Sequence, residues 1–118
     1  MDNNIHKRSI SEDILLLNPF ISAQVLTEVA NVCKRRFKYE KDDILNLWRD
    51  LMSDCDFIAT TKTTFDNGIE LVKKYKFQLF DALIIASALE ANCNILYSED
   101  MQHKMVVEGQ LTIVNPFI

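Results

Sequence analysis

Four side chains in this chain have the types and spacing to form an oxygen-rich cation site. Asp81 opens the run Asp81-Ala82-Leu83-Ile84-Ile85-Ala86-Ser87-Ala88-Leu89, which places a carboxylate at the mouth of an almost wholly apolar helix. Ser98 and Asp100 follow the short apolar stretch Asn94-Ile95-Leu96-Tyr97, which is too short for a helix and reads as a core strand. Glu28 lies at the margin of the stripe made by Val25, Val29 and Val32, in line with Gln24, Asn31 and Arg35. Hard cations such as Mg²⁺ or Mn²⁺ take oxygen ligands and keep several waters. They can polarise a phosphate while activating a water for attack. In open α/β sheets, ligands bind beyond the C-terminal ends of the strands, where Ser98 and Asp100 fall.

Each of these residues also has a plainer reading. Asp81 is a good N-cap for a helix over 82–92, satisfying amides that would otherwise be orphaned. Ser98 and Asp100 can cap a short helical turn near 100–106. Glu28 can be an ordinary helix-edge acid held by a polar neighbour. It is the combination of the acids in one chain that favours a metal site. His6 and His103 have no zinc-like or triad-like surroundings in the sequence and read as surface residues. With only Gly68 and Gly109 there is no glycine loop to cradle phosphate, which argues against P-loop and dinucleotide enzymes.

The elements that must position these residues follow from periodicity. Helices are expected over 7–17, 22–37 and 41–52, with Asn18-Pro19 ending the first of them. A very short strand is expected at Phe20-Ile21, and another over 56–60. Thr63-Thr64-Phe65-Asp66 has the form of an N-cap with an acid three residues on, for a helix reaching Tyr75 that Gly68 weakens slightly. Helix 82–92, strand 94–97, the helical turn near 100–106 and a strand over 111–114 complete the chain. Strands separated by helices imply an α/β fold with a parallel sheet and helices on both faces. Four strands, one very short, are few for such a sheet, and the chain opens with polar residues and a helix where a strand is usual.

At 118 residues and 48% hydrophobic content the chain suits one domain, 1–118, with one core. No apolar stretch has the length a bilayer needs, and the start lacks the apolar core of a signal peptide, so a cytoplasmic protein with no membrane partner is expected. Cys33, Cys55 and Cys93 are an odd count without metal-type pairing and read as reduced structural thiols. A net charge of −4 argues against gripping nucleic acid by bulk electrostatics. It does not exclude a nuclease, because a bound divalent ion neutralises clustered acids. The basic runs Lys34-Arg35-Arg36 with Lys38, and Lys73-Lys74 with Lys76, can meet phosphate or simply complement helix C-termini.

Three blocks of the sequence resemble, in order and spacing, the PIN domain of VapC-type toxins. They are Ile21-Ser22-Ala23-Gln24-Val25-Leu26-Thr27-Glu28-Val29-Ala30-Asn31-Val32, then Asp81-Ala82-Leu83-Ile84-Ile85-Ala86-Ser87-Ala88, then Leu96-Tyr97-Ser98-Glu99-Asp100-Met101. The closing Ile113-Val114-Asn115-Pro116-Phe117 fits the same pattern. The resemblance implies a three-layer α/β/α fold with a central parallel sheet and a small Mg²⁺- or Mn²⁺-dependent ribonuclease. It makes Glu28, Asp81 and Asp100 metal-site acids, with Ser98 a hydrogen-bonding neighbour. An RNA substrate, a cognate antitoxin and a homodimer are implied with it.

One part of the family pattern is missing. The family begins with an apolar central strand that ends in a metal-binding Asp, and here only Asp2-Asn3-Asn4 echoes it, with no strand before Asp2. Without that strand, its neighbours keep open backbone groups and uncovered core side chains. The expectation is an N-terminally truncated domain whose strands close up or are covered by a second copy in an intertwined dimer, unless the natural reading frame starts further upstream. The alternative to a nuclease is a degenerate, non-catalytic PIN-like scaffold that binds an antitoxin or itself. A receiver-like phosphate-handling domain would need a strand ending in a phosphorylatable Asp near mid-chain, and the region from Asp56 to Thr61 offers none.

Overall fold

Apolar residues on nearly every face drive the segment around Ala82 and Ile85 into the middle of the molecule. A computed structural model describes residues 2–118, with the side chains of His6, Lys7 and residues 9–118. The elements in chain order are α1 (Asp2–Leu15), β1 (Phe20–Ser22), α2 (Ala23–Arg36), α3 (Lys41–Asp54), β2 (Asp56–Ile58), α4 (Lys62–Tyr75), α5 (Leu79–Glu90), β3 (Ile95–Tyr97), β4 (Val106–Val107) and β5 (Leu111–Val114). Ala82, Ile85 and Ala86 of α5 have no exposed surface and pack with Leu71 of α4 and with Val107, Leu111 and Ile113 of the β3–β5 region. Each fully buried Leu or Ile in such a cluster is worth roughly 1.5–3 kcal/mol relative to exposure.

α4 and α5 approach closely because Gly68 has no side chain. A Cβ there would lie 3.1 Å from Leu83 Cδ2 and 3.8 Å from the Ala82 backbone. The glycine that weakens the helix prediction is thus the residue that lets α5 dock. The start of α4 is tied by a reciprocal pair of bonds. Thr61 Oγ1 accepts from the Thr64 amide at 3.3 Å, and Thr64 Oγ1 accepts from the Thr61 amide at 3.1 Å. The buried Thr64 hydroxyl also reaches Glu90 Oε2 at 2.9 Å, joining this cap to the end of α5. The N-cap is therefore Thr61 and not Thr63, while Asp66 instead pairs with Lys62 at 3.1 Å. On the other side of the molecule, Trp48 Nε1 donates to the Leu26 carbonyl at 2.8 Å and fixes α3 against α2.

The sheet differs from the single four-stranded one expected. β1 pairs with β2 in parallel, and separately β3 pairs with β5 in parallel while β4 adds to β5 antiparallel. β1 and β3 do not pair, so the strands have not closed up into one sheet. The strand β4 replaces the helical turn expected near 100–106. The reason lies in the backbone of this stretch, which pairs with β5: Val106 and Val107 face Thr112 and Leu111, and just before them Lys104 N donates to the Ile113 carbonyl at 2.7 Å while Ile113 N donates to the Met105 carbonyl at 2.8 Å. Lys104 takes a left-handed conformation, φ 67°, which no helix continues. α5 also starts earlier than expected, with Gln78 as N-cap, so Asp81 lies inside the first turn and does not cap the helix.

Candidate metal site

Asp81 is the third residue of α5, half-buried where the helix leaves the core. A carboxylate in a first turn is favoured by the helix dipole. Burial and the nearby Asp100 carboxylate nonetheless hold Asp81 above its ordinary value, burial contributing more. Desolvation and like-charge repulsion are thus the two forces acting on Asp81. The structure brings Asp81 and Asp100 into electrostatic range across the end of α5 and the loop after β3.

That loop is built from local bonds. Ser98 N donates to the Val114 carbonyl at 3.0 Å, continuing the β3–β5 ladder. Ser98 Oγ accepts from the amides of Asp100 at 3.3 Å and Met101 at 3.2 Å. The turn-capping reading of Ser98 therefore holds, with a turn in place of a helix. Asp100 itself is exposed.

Three residues to which the sequence reading gave no role at the site secure the loop. Asn115 Nδ2 donates to the Glu99 carbonyl at 3.4 Å, and its Oδ1 accepts from the Phe117 amide at 2.9 Å. The Asn115 amide donates to His103 Nδ1 at 2.9 Å, so His103 is a half-buried structural acceptor and not merely a surface residue. Lys7 of α1 pairs with the Glu99 carboxylate and lies 5.4 Å from the centre of the Phe117 ring. The Asn-Pro-Phe order near the C-terminus, an Asx-turn former followed by proline, was the available signal for Asn115. No local signal marked Lys7, whose partner lies 92 residues away in sequence.

Glu28 sits half-buried on α2, between the buried Leu26 and Ala30. Among the described residues no group of three or more His, Cys, Asp or Glu side chains comes together to hold a metal ion. Glu28 thus does not join Asp81 and Asp100 in one cluster. The Asp2 side chain, considered above as an echo of the missing acid, lies outside the described residues. The oxygen donors of Asp81 and Asp100 nevertheless suit a hard cation. An ion such as Mg²⁺ is commonly held by one or two carboxylates with waters completing its shell, and it would relieve the repulsion within this pair.

The basic runs sit at helix ends. Lys34, Arg35 and Arg36 occupy the last turn of α2, and Lys73 and Lys74 the last turn of α4, where cations complement the dipole. Lys74 is further engaged, donating to Glu108 at 2.7 Å. The three cysteines are free, and burial raises the thiols of Cys55 and Cys93, which suits inert structural residues. No helix among the described residues is long and apolar enough to cross a membrane.

The chain is thus a mixed α/β fold in which Asp81, in the first turn of a buried helix, feels the charge of Asp100. The sequence signature of the PIN domain matches residues 2–108, and the chain belongs to the PIN domain family. Domains of this family are generally divalent-metal-dependent nucleases. No curated protein matches the chain.

Proposed function

We propose that this chain is a metal-dependent RNA endonuclease of the VapC toxin type. The observation that carries the reading is the Asp81–Asp100 pair, two carboxylates held close enough to repel one another in a family of metal-dependent nucleases. Asp81 and Asp100 would hold Mg²⁺ or Mn²⁺ with waters completing the shell, and Glu28 of α2 stays outside this pair. When bound, the ion supplies charge neutralisation at the phosphodiester and a more acidic water. Ser98 keeps the loop in shape with its lone pairs, and its hydroxyl hydrogen remains to donate to Asp100 or to a phosphate oxygen. The half-buried Asp81 excludes water from one side of the site, which strengthens its hold on a cation.

In this reading the protein is cytoplasmic, has a cognate antitoxin and is a homodimer. The reading also includes a further strand between β1 and β3. Phe20 of β1 and Ile95 of β3 are both about half exposed, 49% and 48%, which suits strands that lack a neighbour. A second copy, or a segment preceding Met1 in a longer chain, would supply that strand. The in-frame DNA upstream of Met1 tests the latter: an apolar strand ending in Asp-Thr-Asn or Asp-Ser-Asn supports it, and a stop codon removes it.

A second reading is a non-catalytic PIN-like scaffold that binds an antitoxin or itself. It is favoured by the absence of a three-acid group among the described residues. Incubating RNA with the protein and Mn²⁺ decides between the two. Cleavage that disappears in Asp81→Ala supports the nuclease, whereas no cleavage, or cleavage equal in both proteins, rejects Asp81 as a catalytic residue.

A further inference from the structure

The loop that carries Asp100 offers two carboxylates in succession, and only one is available. Glu99 is taken by Lys7, whose ammonium sits between the Glu99 carboxylate and the face of Phe117. The Glu99 carbonyl is taken as well, by Asn115 Nδ2. Asn115 in turn is anchored through His103 and through the turn to Phe117, so its own side chain is not free to swing. Glu99 is therefore held from both sides, by α1 and by the residue after β5, immediately before Asp100. Beside this contact α1 stands off the loop, leaving a groove of about 290 Å³ lined by Ser11, Ile14, Leu15, Tyr97, Ser98 and Phe117 among others.

We infer that Lys7 and Asn115 are positioning residues that hold Glu99 away from the acid site and fix Asp100 as the loop's only carboxylate toward Asp81. The inference rests on the nuclease reading for its consequence, since the acid being positioned is a metal-site acid there. Its physical basis is separate. A ligand carried on a loop is as precise as the shell that supports it, and outer partners of metal ligands commonly affect affinity about 10- to 100-fold. The Lys7–Glu99 pair is about half exposed on both sides, so salt weakens it, and the positioning is expected to loosen as ionic strength rises.

Two measurements on the full chain test this. In metal-free protein, hydrogen exchange at the amides of Asp100 and Met101, both bonded to Ser98 Oγ, is expected to speed up in Lys7→Ala and Asn115→Ala and to stay as in wild type in Lys7→Arg. In calorimetric titration with Mn²⁺, Lys7→Ala and Asn115→Ala are expected to bind about 10-fold more weakly, with Lys7→Arg restoring the affinity. Adding Glu99→Gln to Lys7→Ala is expected to alter Mn²⁺ affinity more than Glu99→Gln does alone, because Glu99 is released only when Lys7 is gone. Unchanged exchange and wild-type Mn²⁺ affinity in both alanine variants overturn the inference and leave the nuclease reading standing. A wild type that binds no Mn²⁺ overturns the nuclease reading and the metal-site role of Lys7 together, whatever the exchange shows.

Discussion

The two sheets of this molecule are made of similar residues and are buried very differently. In the β3–β5–β4 sheet, β5 has a neighbour on each edge and α5 on its face, and Leu111 and Ile113 are fully buried. In the β1–β2 sheet both strands are edges, and Phe57 of β2 remains 48% exposed. Apolar composition therefore does not decide where the core forms. A strand contributes when it is covered on its edges and on one face, which β5 is and β1 and β2 are not. The candidate site lies beside the well-covered half, with Asp100 carried by the loop after β3 and Asp81 by α5.

This contrast can be broken by substitution. Ile113→Ala is expected to cost about 2–5 kcal/mol in urea unfolding, because it opens a cavity in the covered half. Phe57→Ala, although it removes a larger side chain, is expected to cost less than that; equal losses would show that both halves are equally part of the core. Gly68→Val is expected to destabilise by about 1–3 kcal/mol, since its branched side chain must displace Leu83 and push α4 off α5.

Smaller effects sharpen the site side of the comparison. Asp81 has a raised value in the folded protein, so its contribution is most favourable in acid and is lost as pH rises through that value. Asp81→Asn is therefore expected to stabilise the metal-free protein at neutral pH, by up to about 1 kcal/mol given the partial exposure. The same variant should lose the rise in Tm that Mn²⁺ gives the wild type. Glu108 works in the opposite sense. Its bonds to Lys74 and to the Tyr75 hydroxyl hold its carboxyl below the usual range. Its small contribution is present above that range and fades as pH falls through the lowered value, and Glu108→Gln should flatten that part of the acid-unfolding curve.

Much of the architecture was legible in the sequence because it is local. The strand Leu111–Val114 matches the expected 111–114, the start of α3 at Lys41 matches, and α5 is the apolar helix its composition demands. What was not legible depends on contacts distant in sequence. β4 has only two residues, too few for any periodicity, and exists because β5 accepts it. The division into two sheets is a pairing outcome and leaves no trace in any single strand. Leu79 and Phe80 read as apolar, yet they are 70% and 60% exposed, because the first turn of α5 projects beyond the core. At the site, the order of the acids anticipated the approach of Asp81 to Asp100. It did not anticipate that Glu28 would stay outside a three-acid group, since that depends on how α2 is set against α5.

The account turns on the Asp81–Asp100 pair as a cation site, and a calorimetric titration of the wild-type chain with Mn²⁺, beside Asp81→Ala and Asp100→Ala, tests it most directly. The account predicts saturable binding by the wild type and at least about 10-fold weaker binding in each variant. Binding that is absent in the wild type, or unchanged when either carboxylate is removed, would contradict it.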